Sequence, residues 1–392
     1  MKMKKRIRKR IVSAVCIILS VIMLTFSGAV YTVAEETEYP TLGLECTSAV
    51  LMEAETGKIL YANNENQPLP PASVTKIMTL LLIMEAIEQK KIDYTDMVSA
   101  SEHACSMGGS QIFLEPGEQM SVDDLLKSVV IASANDAAVT LAEYVAGTEE
   151  SFVEMMNSKA AELGMKNTHF ENTNGLDDTT QNHVTSAKDI AIMSRELIKY
   201  PRITEYSSIW MDTIRNGEFG LTNTNRLIRF YKGATGLKTG STAKAGFCVS
   251  ATAERDGMTL IAVIMGAPGR DQRNRSATAL LNYGFSNYAV FENTDRQTYE
   301  LPVIKGKSVV CKAQEGELRA VIDKKSMAKI ERTVEIKENL VAPVKEGEQI
   351  GTVTYSIGGK VIGSCEIVTV QSIEQVGFID ILLRIMAKMT YC

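Results

Sequence analysis

The chain has 392 residues, of which 45% are hydrophobic and 23% are charged. This is ordinary globular composition with room for more than one domain, and it excludes a disordered or collagen-like polymer. Beyond residue 34 the chain has 35 Lys and Arg against 47 Asp and Glu. Nucleic acid is therefore not an expected partner, because phosphate binding draws on clustered basic side chains.

The N-terminus has the layout of a secretory signal. The first ten residues include seven Lys or Arg and no acid, and residues 11–26 carry no charge. A basic segment, a short apolar segment and small residues before a cleavage site define such a signal. We predict a signal peptide over residues 1–34, cleaved after Ala34, with Ala29 as the second candidate. An uncleaved anchor is the alternative, because residues 11–33 are just long enough to span a bilayer. Both predict export.

The segment after the signal predicts a β-hairpin and a buried helix. Residues 48–61 contain two short apolar runs around a turn at residues 55–57. Prolines between residues 68 and 71 then interrupt regular structure. Residues 73–88 predict a helix that is apolar almost all round, and a short helix of this kind is usually buried inside a large domain.

More helices and then strands follow in chain order. Three further helices are predicted, over residues 121–131, 135–145 and 185–200. Ser121 and Asp124 form a capping pair for the first of them, and Pro201 ends the third. Three strands are predicted next, over residues 236–241, 247–253 and 258–266. The sequence at residues 255–257, Arg-Asp-Gly, is a strong hairpin signal, and a helix over residues 277–283 closes the region. This order predicts an α+β fold: an antiparallel sheet flanked by helices, with a helical lobe.

Composition changes after about residue 292. Short alternating strands, with a hairpin turn at Gly358 and Gly359, predict a small C-terminal all-β domain. We therefore divide the chain into four parts: the signal peptide (1–34), the larger domain (35–292), the β domain (293–370) and a terminal segment (371–392).

The terminal segment predicts an amphipathic helix. Asp380, Arg384 and Lys388 recur every four residues and share one narrow stripe, while apolar side chains cover the rest. A broad apolar face with nothing downstream to bury it is typical of a helix that lies on a membrane surface. Packing of this helix on its own β domain is the alternative.

Cysteine and histidine give no sign of a metal site. Six cysteines remain beyond the signal, without CxxC spacing, and the three histidines form no HExxH motif. Cys248 and Cys365 lie in apolar, strand-like runs, where a buried thiol is expected.

Three short motifs carry candidate chemistry. In chain order they are Ser73-Val74-Thr75-Lys76, Ser133-Ala134-Asn135 and Lys238-Thr239-Gly240. Ser73 and Lys76 lie one turn apart on one face at the start of a helix, where the helix dipole and backbone N–H groups act on the hydroxyl. A lysine amine in a low-dielectric site loses its proton more easily and can then accept the proton of an attacking hydroxyl.

Each motif by itself also has an ordinary structural explanation. An N-cap serine with a solvated lysine explains the first, and helix capping explains Ser133 and Asn135. The two side chains can otherwise relay a proton and hold a substrate carbonyl. The third motif fits a plain strand before a turn, or a strand edge whose Lys and Thr bind the carboxylate of a paired peptide. The occurrence of all three in this order favours the functional interpretation.

Together the motifs resemble the set found in class A β-lactamases and penicillin-binding proteins. Further stretches that carry the resemblance are Pro70-Pro71-Ala72, Gly108-Gly109-Ser110, Asp136-Ala137-Ala138, Asn172-Thr173-Asn174-Gly175-Leu176 and Gly236-Leu237. The sequence is similar to the low-molecular-mass penicillin-binding proteins, the serine-type D-alanyl-D-alanine carboxypeptidases, most strongly over residues 40–290. The resemblance implies a penicilloyl-serine-transferase (β-lactamase-like) fold, a C-terminal β domain and a membrane-binding tail.

The resemblance also implies a role for each motif residue. Ser73 becomes the acylated nucleophile, Lys76 its base and Ser133 a proton relay, and the backbone N–H groups of Ser73 and Ser241 form the oxyanion hole. The implied substrate-binding residues are Asn135, Lys238, Thr239, Gly240, Ser241 and Arg273. For Arg273, solvation at the surface is an equally good explanation, since arginine is usually exposed.

The implied reaction removes the terminal D-alanine from peptidoglycan stem peptides through an acyl-Ser73 intermediate. β-Lactam antibiotics, which mimic the terminal dipeptide, become covalent inhibitors at the same serine, and no metal or organic cofactor is required. The expected location is the outer face of the cytoplasmic membrane or the cell wall, with the C-terminal helix on the membrane surface.

Two other functions are weighed against this one. A class A β-lactamase needs a carboxylate that activates water, and no E-x-x-L-N motif follows Ser133 at the expected distance. A non-catalytic cell-wall-binding module is disfavoured because all three motifs are intact, although a fold alone never fixes function. Endopeptidase or transpeptidase action on the same peptides stays open, because only the acyl acceptor differs.

Overall fold

The computed structural model describes residues 39–178 and 180–389, so the predicted signal peptide lies outside the described residues. Within those two ranges, no helix is both long enough and apolar enough to cross a membrane.

The α-helices of the larger domain surround its sheet, and one further helix follows the β domain. The α-helices are α1 Lys76–Glu88, α2 Glu102–Cys105, α3 Val122–Lys127, α4 Asn135–Ala146, α5 Glu149–Glu162, α6 Ala187–Leu197, α7 Pro201–Ser207, α8 Leu227–Phe230, α9 Arg270–Asn287 and α10 Phe378–Met389.

The strands fall into a first group that builds the larger domain and a second that builds the C-terminal region. The first group is β1 Ser48–Glu53, β2 Ile59–Asn63, β3 Met97–Ser99, β4 Gln119–Ser121, β5 Met211–Ile214, β6 Phe219–Thr222, β7 Ala234–Thr242, β8 Gly246–Arg255 and β9 Met258–Ala267. The second is β10 Tyr288–Glu292, β11 Thr298–Ile304, β12 Val310–Glu315, β13 Arg319–Asp323, β14 Ile330–Ile336, β15 Leu340–Val341, β16 Gln349–Ile357 and β17 Lys360–Thr369.

A five-stranded antiparallel sheet, in the order β2-β1-β9-β8-β7, forms the centre of the larger domain. The predicted β8–β9 hairpin is present, and its turn residues Asp256 and Gly257 have φ values of 50° and 72°, the left-handed conformation that a two-residue hairpin turn requires. Strand β7 lies at the edge of the sheet, where its outer backbone groups are available to another extended chain. The predicted α+β fold class is confirmed.

Helices cover both faces of this sheet. Alternate residues of β9 point to opposite faces. Val263 belongs to the main core with α1 and α4, whereas Leu260 contacts Gly284 of α9 on the other face. Helix α1 is buried on nearly every side, as its apolar sequence predicts. Its burial fixes the position of Lys76, the first residue of the helix.

Three helix boundaries differ from the sequence predictions. The first helix begins as a 3-10 turn, Ala72–Thr75, before α1. The predicted helix over residues 121–131 divides into α3 and a π-helical turn, Ser128–Ala132, after which Ser133 adopts the left-handed conformation with φ 65°. The helix predicted over residues 277–283 is longer and forms α9. The prediction missed its first turns because they are polar and have no apolar period.

The C-terminal region has its own core. A six-stranded sheet, in the order β14-β16-β17-β12-β11-β15, packs around the buried residues Cys311, Val353 and Ile367. The predicted hairpin β16–β17 turns at Gly358 and Gly359, which have φ values of 55° and 80°. Strand β10 pairs with β13 in a separate two-stranded sheet. The predicted C-terminal all-β domain is confirmed.

Helix α10 leaves the apolar side chains that the structure describes largely exposed. The preceding segment is held by a bond of 2.9 Å from Val376 N to the Lys305 carbonyl oxygen. In the helix, Phe378 is 81% exposed and Leu383 is 59% exposed. The alternative of packing on the β domain is therefore wrong for these side chains. Of the predicted charged stripe, the side chains of Arg384 and Lys388 lie outside the described residues.

Candidate active site

The first motif occupies a tight turn that runs into α1. Ser73 lies in the 3-10 turn, and the Nζ atom of Lys76 is 2.9 Å from its Oγ atom. The preceding residue, Ala72, has φ 50°, which is uncommon for a residue with a Cβ atom. Its carbonyl oxygen accepts a hydrogen bond of 2.8 Å from Thr75 Oγ1. The turn thus holds the hydroxyl and the amine side by side.

Lys76 is fully buried, and its amine has two further partners. Nζ lies 2.5 Å from Asn135 Oδ1 and donates to the Asn174 carbonyl oxygen at 2.8 Å. Burial, and then the positive charge of Lys238, lower the pKa of Lys76 well below its usual value, while Asp136 opposes this shift. Such an amine can be neutral and accept a proton from Ser73.

The second motif meets the third across the cleft. The π-helical turn ends at Ser133 and directs its hydroxyl toward Lys238, whose Nζ donates to Ser133 Oγ at 2.7 Å and to the Thr239 carbonyl oxygen at 3.0 Å. Lys238 is buried. Burial, and then the charge of Arg273, lower the pKa of Lys238 to about 7.

Asn135 is oriented by the loop that contains Gly108 and Ser110. Its Nδ2 donates to the Gly108 carbonyl oxygen at 2.6 Å, and its backbone N–H donates to the Ser110 carbonyl oxygen at 2.7 Å. These bonds turn the amide oxygen of Asn135 toward Lys76. Gly109 has φ 77°, and a Cβ atom added there would lie 2.9 Å from Asn135 Nδ2.

The sequence analysis gave no role to Asp136, which fixes this loop. Its buried carboxylate accepts backbone hydrogen bonds from Ile112 at 3.1 Å and from Leu114 at 3.1 Å. The adjacent pair Asn135-Asp136 therefore places one side chain in the site and the other under the loop that supports it.

The third motif lies directly against the turn that holds Ser73. A Cβ atom added at Gly240 would be 2.8 Å from the Ser73 backbone nitrogen and 2.9 Å from the Pro71 carbonyl oxygen. Only glycine allows strand β7 to approach so closely. Thr239 Oγ1 donates to Thr224 Oγ1 at 2.8 Å, and Ser241 is exposed at the mouth of the cleft.

Arg273 lies in the first turn of α9 and is 3% exposed, so it is not a solvated surface residue. Its Nε and Nη2 atoms both donate to Asn274 Oδ1, at 3.1 Å and 3.0 Å. Burial, and then the charge of Arg270, lower the pKa of Arg273 to about 10.

A cleft of about 630 Å³ joins these parts. The predicted site residues on its walls are Ser73, Ser133, Thr239, Gly240, Ser241 and Arg273. Lys76 and Lys238 lie behind these walls, where they contact Ser73 and Ser133. Asn135 contacts Lys76. A larger cavity of about 710 Å³ is lined by Glu53, Arg195 and Arg319 among others, and none of the motif residues lines it.

Sequence analysis did not anticipate that His183 supports the turn that holds Ser73. The Nδ1 atom of His183 accepts from the Glu171 backbone N–H at 3.0 Å, so its Nε2 atom carries the proton of the neutral ring and lies 2.7 Å from Thr75 Oγ1. Thr75 Oγ1 in turn donates to the carbonyl oxygen of Ala72, the residue before Ser73. Burial lowers the pKa of His183 to about 4.

A serine hydroxyl beside a buried lysine amine, a Ser–Asn motif and a Lys-Thr-Gly strand on this α+β fold define a serine enzyme of the penicillin-binding-protein class. The family model of D-alanyl-D-alanine carboxypeptidases, peptidase family S11, matches residues 33–269. The model of the C-terminal domain of penicillin-binding protein 5 matches residues 285–375. The chain belongs to the D-alanyl-D-alanine carboxypeptidase family, and the predicted serine-type carboxypeptidase is confirmed.

Relatives match over nearly the whole length. The chain is 41% identical over 389 residues to the D-alanyl-D-alanine carboxypeptidase DacF of Bacillus subtilis, covering 97% of this chain and 99% of that one. Penicillin-binding protein 5 from Haemophilus influenzae has a similar structure, with a TM-score of 0.74, 33% identity and coverage of 86% and 100%. Penicillin-binding protein D2 from Listeria monocytogenes in its ampicillin-bound form has a TM-score of 0.58, 31% identity and coverage of 63% and 100%.

Proposed function

We propose that Ser73 is the nucleophile that removes the terminal D-alanine from peptidoglycan stem peptides, with Lys76 as its base. The observation that carries this proposal is the buried Lys76 amine, 2.9 Å from the Ser73 hydroxyl. An amine with a lowered pKa in a water-poor site is a competent acceptor for a hydroxyl proton.

In the first step, Ser73 Oγ attacks the carbonyl carbon of the penultimate D-alanine and its proton passes to Lys76. The backbone N–H groups of Ser73 and Ser241 stabilise the negative oxygen that develops. The proton then reaches the leaving amine, with Ser133 as the relay. Free D-alanine departs, and water releases the shortened peptide from Ser73.

The substrate carboxylate is held at the other side of the scissile bond. Lys238, Thr239 and Arg273 supply two cations and a hydroxyl near one another, and the edge of β7 can pair with the extended peptide. Asn135 positions the substrate. A β-lactam presents a carboxylate and a reactive carbonyl in a similar arrangement, so it acylates Ser73.

A β-lactamase-type deacylation is not supported. None of the described residues that line the cleft is acidic. The carboxylate of Glu171 instead accepts from the backbone N–H groups of Gln181 and Asn182. The acyl-enzyme formed by a β-lactam should therefore persist.

The proposal also covers location and domain roles. The signal peptide (1–34) directs export, the domain over residues 35–292 carries catalysis, and the β domain (293–370) joins it to the anchor (371–392). The exposed apolar side chains of α10 support binding of that helix to the outer face of the membrane.

The decisive test is labelling with a fluorescent penicillin, followed by peptide mapping and by hydrolysis of a D-Ala-D-Ala peptide. We expect the label on Ser73, and we expect Ser73→Ala to abolish both labelling and hydrolysis. Ser106 does not line the cleft, so the control Ser106→Ala should keep both. Label on another residue, or hydrolysis that survives Ser73→Ala, contradicts the proposal.

A further inference from the structure

One threonine in the wall of the catalytic cleft belongs to none of the three motifs. Thr224 follows strand β6, and it lines the cleft, as Thr239 does. Thr239 is part of the Lys-Thr-Gly strand, and its Oγ1 atom lies 2.8 Å from that of Thr224. The loop after β6 therefore brings a second hydroxyl group to the third motif.

The backbone around Thr224 is fixed by two buried asparagines, one on each side of it in sequence. The Nδ2 atom of Asn223 donates to the Ser207 carbonyl oxygen at 3.0 Å. The Nδ2 atom of Asn225 donates to the carbonyl oxygen of Gly236, in strand β7, at 2.7 Å. Buried amides that make such bonds are costly to displace, so they hold this loop against the strand of the third motif.

The backbone of Thr224 also binds the turn that precedes Ser133. Its N–H donates to the carbonyl oxygen of Ile131 at 3.2 Å, and Ile131 lies in the π-helical turn that ends just before Ser133. Bonds to this turn and to strand β7 thus hold Thr224 between the second and the third motif. A group that is already held in place loses little further freedom when a ligand binds to it.

The hydroxyl groups of Thr224 and Thr239 together have one proton that is left for a ligand. A hydroxyl has one proton to donate and two lone pairs that accept. The proton of Thr239 is used in the bond to Thr224, and Thr224 Oγ1 takes part in no second hydrogen bond within residues 39–178 and 180–389. The bond that Thr224 accepts makes its own proton a stronger donor, because linked hydrogen bonds polarise one another.

The charges around this pair of hydroxyls favour an anionic acceptor. Lys238, the residue before Thr239, is buried, and its Nζ atom donates to the Thr239 carbonyl oxygen at 3.0 Å. The positive charge of Arg273, which lines the cleft, acts on Lys238. Among the described residues that line the cleft, none is acidic. A carboxylate that accepts from Thr224 is therefore also stabilised by these two cations.

We propose that Thr224 is a further substrate-binding residue, whose hydroxyl donates to the terminal carboxylate of the substrate beside Thr239. This inference rests on the proposed function, in which Lys238, Thr239 and Arg273 hold that carboxylate. Two hydroxyl oxygens 2.8 Å apart are close enough to contact the same carboxylate group. Thr224 thus helps the enzyme to distinguish a free terminal carboxylate from an uncharged terminus.

The test uses two ester substrates that share one acyl part and release either D-lactate or its uncharged carboxamide. An ester is attacked more readily than an amide, so turnover of the carboxamide substrate stays measurable. The measured quantity is the ratio of kcat/KM for the carboxylate substrate to kcat/KM for the carboxamide substrate. We expect Thr224→Val to lower this ratio about tenfold, the usual effect of removing one hydrogen bond to a charged group. Thr224→Ser keeps the hydroxyl and should retain most of the ratio.

A double variant distinguishes direct contact from an effect that acts through Thr239. Thr239→Val removes the neighbouring hydroxyl and leaves that of Thr224 free to donate. We expect the addition of Thr224→Val to Thr239→Val to lower the ratio further, because Thr224 contacts the carboxylate itself. Thr213→Val is the matched control, since Thr213 is an exposed threonine of strand β5 that does not line the cleft. Its ratio should stay that of the unaltered enzyme.

An unchanged ratio in Thr224→Val overturns the inference, even where both substrates are turned over more slowly, because an equal loss indicates a purely structural role. An equal decrease of the ratio in Thr213→Val, or no further decrease in the double variant, also overturns it. Thermal unfolding of each variant establishes that it is folded. Failure of the proposed function has a different signature, namely no Ser73-dependent hydrolysis of a D-Ala-D-Ala peptide by the unaltered enzyme.

Discussion

The Nζ atom of Lys238 lies 2.7 Å from the Oγ atom of Ser133, and this hydrogen bond joins strand β7 to the turn before α4. Both groups are buried, so the bond is largely protected from water. In the proposed function, this places the lysine that binds the substrate carboxylate next to the hydroxyl that relays the proton. Substrate binding and proton transfer would therefore depend on the same hydrogen bond.

The lowered pKa of Lys238, about 7, predicts a pH dependence. As pH rises through this value the amine of the free enzyme loses its charge, so it binds a carboxylate less well. We expect kcat/KM for a D-Ala-D-Ala peptide to decrease above about pH 7, since this parameter reports groups of the free enzyme. Lys238→Arg should move the decrease to higher pH because the guanidinium stays charged. The control is Lys232→Arg, at an exposed lysine before β7. An unmoved decrease in Lys238→Arg would show that another group controls it.

Close packing of Gly240 on Ser73 predicts a severe effect of one methyl group. In Gly240→Ala the new Cβ atom meets backbone atoms of the turn that holds Ser73, so either the strand or the turn must shift. A misplacement of about 1 Å costs about 100-fold in rate, so we expect a loss of this size in acylation by penicillin. Gly220→Ala is the matched control, because a Cβ atom there meets nothing within 4 Å. Near-normal acylation in Gly240→Ala would mean that the close contact has no catalytic consequence.

His183 predicts acid sensitivity of folding. Burial lowers its pKa to about 4 in the folded protein, against the usual value of 6.5. Between these values the unfolded chain binds a proton that the folded chain does not, so stability is present above pH 6.5 and is lost as pH falls towards 4. The full contribution is about 3 kcal/mol. Urea unfolding from pH 7 to pH 4 should show this loss, and His183→Gln should reduce it.

His103 should change the stability of the fold with pH in the direction opposite to His183. A hydrogen bond to Glu149 raises the pKa of His103 above its usual value. Its contribution is therefore present at low pH and is lost as pH rises through the folded pKa. His103→Gln should not reduce the acid sensitivity. Equal effects of both substitutions would argue against a specific role for His183.

Helix α10 predicts binding to lipid. Leu383→Glu places a charge among exposed apolar side chains, and loss of one buried leucine costs about 1.5–3 kcal/mol of membrane affinity. We expect at least a tenfold decrease in co-sedimentation with anionic vesicles. Val309→Glu is the control, since Val309 is 69% exposed but lies in the β domain. If Leu383→Glu sediments with the vesicles as the unaltered protein does, the proposal that α10 anchors the protein to the membrane is contradicted.

The sequence predicted what depends on local patterns. Apolar runs gave the strands of the sheet, Asp256-Gly257 gave a hairpin turn, and the apolar helix after Ser73 predicted the burial of Lys76. These features were predictable because periodicity and left-handed turn residues act over a few positions. The start of α9 was missed for the same reason, because its polar first turns have no such period.

What only the tertiary structure decided is the meeting of distant segments. Ser73, Ser133 and Lys238 are far apart in sequence, and nothing local states that their side chains share one cleft. The Asn174 carbonyl binds Lys76 and the His183 ring binds Thr75, and neither contact follows from the sequence, although Asn174 lies in a stretch that carries the family resemblance. Arg226 and Arg270 also come from distant parts of the sequence, yet they line the same cleft. Sequence by itself thus determined the chemical groups and their local elements, whereas long-range packing decided which groups touch and how far their pKa values shift.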